Sequence, residues 1–126
     1  MGFEVVETPA LPTPGQFSHV VRKGPFVFIS GQTATVAAGE GNLDPEDQAR
    51  EIFGYLRTAI ESAGGTMADI CKINLFLTDG SQIPAILELR PQFFEQPYPA
   101  ATLVMVNGLF RRELVMEIEA TAILDS

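Results

Sequence analysis

Residues 97–122 read PYPAATLVMVNGLFRRELVMEIEATA, two strand-like runs joined by a glycine-containing loop. In the second run Glu117 and Glu119 stand two apart, so an extended chain places both on one face. Leu114, Met116, Ile118 and Ala120 take the other face. Such a strand has a core beneath it. Above it lies water, a cleft or a partner.

Working outward, residues 70–77 (ICKINLFL) alternate in the same way. Cys71, Ile73, Leu75 and Leu77 share one face, and Lys72, Asn74 and Phe76 the other, as in a near-central strand with two environments. Cys71 is expected there as a small buried hydrophobe. Residues 44–63 read as a helix, with Asp44 as cap, Pro45 in the first position and Gly64-Gly65 after the end. Its apolar stripe is Ala49, Ile52, Phe53, Leu56, Ile60 and Ala63, and Glu46 faces Arg50 one turn on. A second helix is expected over 84–94, kinked or shortened by Pro91.

Before these come short strands at 3–7, 19–23 and 26–30, with prolines 9, 12 and 14 making a turn-rich connector. Residues 36–42 read as a loop. The order is β-β-β-α-β-α-β-β, an α/β (α+β) fold in one domain over 1–126. Two helices cover only one face of a six-stranded sheet. The other face, carrying Lys72, Asn74, Glu117 and Glu119 beside Phe76 and Val115, is expected to be covered by further subunits.

The composition narrows the function. A net charge of −8 disfavours nucleic acid, because the scattered basic residues form no stripe against phosphates. One cysteine allows no internal disulfide, which suits a reducing compartment. The N-terminal residues lack the pattern of a signal peptide, and no apolar run reaches the length of a membrane span, so a cytoplasmic location is expected. No His/Cys/Asp/Glu cluster has metal-ligand spacing, and the glycine pairs lack the strand–GxGxxG–helix setting of a dinucleotide site. No cofactor is expected.

Five segments together resemble one family: GQFSH at 15–19, FVFISGQ at 26–32, DICKINLFLTD at 69–79, the aromatic pair Phe93-Phe94, and VMEIEA at 115–120. Their order and spacing resemble the RidA/YjgF family of enamine and imine deaminases, over nearly the whole chain. The resemblance implies a chorismate-mutase-like fold and a homotrimer whose sheets form a central barrel, with small-molecule clefts between subunits. In active members an arginine grips the substrate carboxylate, and a glutamate positions the water that hydrolyses the imine.

Carried over residue by residue, the resemblance makes Glu117 the catalytic candidate and assigns Glu119 to the barrel lining. Ser30, Gly31, Gln32 and Thr102 are retained cleft residues. The departures are Phe17 for a common tyrosine, Leu87 for a frequent asparagine, Leu103 for an occasional cysteine and Ala101 for the arginine. All four make the implied cleft less polar. A methyl group cannot replace a bidentate guanidinium. Arg111 and Arg112 occupy the loop between the last two strands and are expected to be solvated. His19 is expected at a surface or interface. The implied activity is hydrolytic deamination of an enamine or imine with an altered substrate. The alternatives are a non-catalytic small-molecule-binding trimer and a holdase-like trimer.

Overall fold

The computed structural model describes residues 2–125. Strands β1 (Glu4–Val5), β2 (Val20–Lys23) and β3 (Phe26–Gln32) form an antiparallel meander. Helices α1 (Thr35–Gly39) and α2 (Pro45–Ser62) follow, then β4 (Ile70–Leu77), α3 (Ile83–Phe93), β5 (Ala100–Met105) and β6 (Met116–Ile123). The sheet runs β1-β2-β3-β6-β4-β5. β6 is antiparallel to both neighbours, and β5 lies parallel to β4 at the edge. This is the expected six-stranded α+β arrangement, with one short helix added.

That helix, α1, replaces the loop expected at 36–42. Glu51 of α2 explains it: its carboxylate accepts the N–H groups of Val36 (2.8 Å) and Ala37 (3.0 Å), which a five-residue helix leaves unpaired. A side chain fifteen residues away supplies the cap, so local pattern could not reveal it.

α2 begins and ends where its capping residues place it. The Asp44 carboxylate accepts from Asp47 N–H at 2.9 Å, and Gly64 follows with φ of 89°. Its stripe of Ala49, Ile52, Phe53, Leu56 and Ile60 is buried against β3 and β6. Phe53 stacks on Phe93 and meets Phe94 edge-on, which docks α3 onto α2. α3 carries Pro91 within its last turn. The core face of the sheet holds Val27, Ile29, Ile73, Leu75, Leu77, Met116, Ile118, Ala120 and Ala122.

Cys71 departs from expectation. The β4–β6 register shifts between Ile70 and Lys72, and this irregularity leaves Ile70 buried and Cys71 exposed. The Cys71 thiol donates to Thr121 O at 3.5 Å. Simple alternation fails at a bulge, because one extra residue reverses the facing of its neighbours.

The opposite face is open. Phe26, Phe28, Ile123 and Val104 lie on it, each between 41 and 50% exposed. Across the polar part, Asn74 donates to Glu119 at 3.0 Å and Lys72 to Thr102 at 2.8 Å.

Candidate functional site

The cleft forms where β3 leaves its ladder. The β3–β6 register shifts between Ile29 and Gln32, so Ser30 and Gly31 sit out of step with β6. Glu117, on β6, fills the space that this opens. A Cβ on Gly31 would collide with the Glu117 carboxylate and come 2.8 Å from its Cδ, so only glycine lets the acid lie over the backbone. Glu117 is half-buried and has no hydrogen-bond or ion-pair partner among the described residues. Burial raises its carboxyl above the ordinary range, and the nearby charge of Glu119 adds to that.

The acid faces a cavity of about 520 Å³. Phe17 and Phe110 provide aromatic walls, and Ser30, Gly31 and Gln32 line the β3 side. Thr33, Thr35 and Tyr55 continue the wall, and Pro12, Thr13 and His19 complete it. Among the described residues no lysine or arginine lines it.

Several side chains hold this wall in place. The Gln32 amide donates to His19 Nδ1 (3.1 Å) and to Ser30 O (3.0 Å). With Nδ1 accepting, Nε2 carries the proton and donates to Pro12 O at 2.6 Å. Expected at a surface or interface, His19 is already buried within this chain, at 8% exposure. It fastens the proline-rich connector to β3 with both ring nitrogens occupied. The Ser30 hydroxyl donates to Ser18 O at 2.6 Å and serves the same purpose.

Gln48 sets the entry to β6. Fully buried in α2, it donates to Asn42 O (2.9 Å) and Glu113 O (2.8 Å) and accepts from Val115 N–H at 3.0 Å. Val115 is two residues before Glu117, so α2 anchors the strand that carries the acid.

Of the sequence-derived candidates, Phe17, Ser30, Gly31, Gln32 and Glu117 meet in this cleft. Leu87, Ala101, Thr102 and Leu103 do not line it. Leu87 is exposed on α3, and the other three lie on edge strand β5. Even there they divide: Ala101 and Leu103 pair with Ile73 and Leu75 on the helix side, and Thr102 pairs with Asn74 on the open side. Arg111 is engaged by Glu113 at 3.5 Å, and neither it nor Arg112 lines the cleft. Sequence reading passed over Tyr55, Thr35, Thr33, Phe110 and Gln48. Phe110 alone left a signal, as a large aromatic in a loop.

Among the described residues no group of acidic, histidine or cysteine side chains could hold a metal, and no helix is long and apolar enough to cross a membrane.

Residues 8–124 match the family model described as Endoribonuclease L-PSP. The chain belongs to this family, the YjgF/RidA family. A 2-iminobutanoate/2-iminopropanoate deaminase of Dermatophagoides farinae is 32% identical over 124 residues, covering 96% of each chain. Among solved YjgF/RidA-type folds, a Pseudomonas aeruginosa protein of unknown function superposes with a TM-score of 0.89 at 33% identity, over 98% of this chain and 94% of that one. Escherichia coli TdcF with bound serine superposes with a TM-score of 0.87 at 32% identity, over 97% and 99%. The chorismate-mutase-like fold follows from these likenesses. Imine deaminase is thus the named activity of one YjgF/RidA relative, and a small amino acid is bound in the structure of another.

Proposed function

We propose that this protein hydrolyses an imine or enamine to a carbonyl compound and ammonia, with Glu117 as the acid–base group. The observation that carries this is the unpartnered, half-buried Glu117 carboxylate lying over Gly31 in a walled cleft. A carboxylate raised by burial is a better base than an exposed one, because its proton affinity lies closer to neutral pH. Glu117 takes a proton from water as the oxygen attacks the imine carbon and passes it to nitrogen, giving a neutral carbinolamine. It then carries the carbinolamine's hydroxyl proton to nitrogen, and ammonia leaves as the C–N bond breaks and the C=O bond forms. One imine and one water thus give one carbonyl compound and one ammonia, with no change of oxidation state. Phe17 and Phe110 hold the body of the substrate, while Ser30 and Gln32 keep Gly31 in place beneath it.

The working unit in this reading is a cytoplasmic homotrimer. Its support is the open sheet face with Phe26, Phe28 and Ile123 exposed, and an edge strand β5 exposed along most of its length. Against a neighbour's cleft, β5 would contribute Ala101, Thr102 and Leu103, and α3 would contribute Leu87. An arginine at position 101 would grip a carboxylate there, and alanine leaves none. The substrate is accordingly less anionic than a 2-imino acid.

Ammonia release tests this reading with freshly generated 2-aminoacrylate and with larger imines that carry no carboxylate. Wild type is expected to act on the larger imines and poorly on aminoacrylate. Ala101→Arg should raise the aminoacrylate rate by roughly tenfold to a hundredfold, the worth of one charge-assisted contact. A fast wild-type rate on aminoacrylate would show that the missing arginine is immaterial. No hydrolysis of any imine, with a ligand still bound in the cleft, would make the protein a binder.

A further inference from the structure

Two features of the cleft wall bear on which substrate it takes. The first is the Glu51–Tyr55–Thr35 chain. Glu51 is already held by two backbone N–H groups of α1 at 2.8 and 3.0 Å. The Tyr55 hydroxyl donates to the same carboxylate at 2.6 Å. A carboxylate only accepts, so the direction of this bond is settled and the single phenolic proton is committed to Glu51. Burial and this hydrogen bond both raise the Tyr55 phenol, which keeps it neutral. The Thr35 hydroxyl is 3.4 Å from the Tyr55 oxygen, a long contact that a better donor can replace. Tyr55 and Thr35 both line the cleft, so the Tyr55 oxygen has acceptor capacity to offer there and no proton.

The second feature is the charge of the lining. Among the described residues Glu117 is its one carboxylate, and no lysine or arginine side chain of the lining balances it. Arg22 is bonded to Gly24 O and Ala63 O, and Arg57 lies over Phe93, both outside this lining. An anionic ligand entering the cleft would meet repulsion and no anchor. A neutral one would meet aromatic walls and one directed acceptor.

From this we propose that Tyr55 is a specificity-determining residue, and that the cleft takes carboxylate-free aryl-alkyl imines whose far end carries a hydroxyl or N–H donor for the Tyr55 oxygen. This rests on the reading of the cleft as the substrate site and names the substrate class. Glu51 acts through Tyr55 as a positioning residue.

The test uses stable carbonyl compounds and measures binding, so it is independent of turnover. 4-Hydroxyphenylacetone, 4-methoxyphenylacetone, phenylacetone and 4-hydroxyphenylpyruvate are titrated into the wild-type protein by NMR. The hydroxyl ketone should bind roughly fivefold more tightly than phenylacetone, the worth of one neutral hydrogen bond. The methoxy ketone accepts but cannot donate, so it should gain nothing. The keto acid should bind more weakly than the hydroxyl ketone. Tyr55→Phe should bind phenylacetone as wild type does and lose the hydroxyl preference, while Glu117→Gln should keep it. Equal binding of the hydroxyl and methoxy ketones by wild type overturns the proposal, a comparison that needs no variant to fold. So does a tighter keto acid, a preference that survives in Tyr55→Phe, or no binding of either ketone at millimolar concentration. The expected binding pattern with no imine hydrolysis would instead leave the specificity standing and refute the reaction.

Discussion

Glu117 joins a proposed chemical role to a stability cost. Burial and the charge of Glu119 raise its carboxyl in the folded chain, whereas the unfolded chain restores the ordinary value near 4.3. Between these two values the folded state holds the proton more tightly, so stability falls as pH rises through that window. Above it the loss is complete. Glu117→Gln removes the desolvated charge at similar volume. We expect the variant to melt above wild type at pH 7, with the gap closing as pH falls below about 4.3. Its ammonia-release rate should drop by roughly a hundredfold to ten-thousandfold, as for loss of a general acid–base group. The wild-type rate should climb with pH through an inflection above the ordinary carboxylate value. Thermal melts across pH with matched rate profiles check both, and a variant less stable at pH 7 would contradict the burial argument. The carboxylate pair was legible in the sequence because a spacing of two fixes facing in a strand. The role of Gly31 was not, since its contact is with a residue 86 positions away.

At the scale of elements, α2 organises the cleft. Its buried face packs on the sheet, Gln48 holds the start of β6, and Glu51 builds α1. Gln48→Leu would leave Asn42 O, Glu113 O and Val115 N–H without their partner in a buried place. The expected cost is about 2–4 kcal/mol in urea unfolding. Activity should also fall, because the strand carrying Glu117 loses its anchor. A variant as stable as wild type would show that water replaces the amide. By contrast the Glu46–Arg50 pair, 3.2 Å apart and half exposed at both ends, adds little. The stripe of α2 was readable from its period and caps. Gln48 and Glu51 looked like ordinary polar helix residues, because the backbone groups they hold lie outside α2, in α1 and in the segments at Asn42 and at Glu113–Val115.

For the whole molecule, the open face is the main feature. Phe26, Phe28 and Ile123 stand exposed beside the Asn74–Glu119 and Lys72–Thr102 pairs. Leaving three large apolar side chains about half exposed on one sheet is costly unless another surface covers them. Light scattering of the wild-type protein should give three times the mass of one chain. Phe28→Glu should shift it towards monomer and abolish hydrolysis, since each cleft in the proposed trimer is completed by a neighbour's β5. A wild-type monomer with full activity would contradict that arrangement.

Local chemistry was enough to define the strands, the long helix, the open face and the acid on β6. Each follows from alternation, helical period or capping residues adjacent in the chain. Tertiary folding decided the rest: the burial of His19, the exposure of Cys71, the existence of α1, and the meeting of Tyr55 with the acid's cleft. All of these depend on a register shift or on a hydrogen bond between distant residues. Such contacts leave no periodic trace, because their energy is gained only once the sheet has brought the partners together.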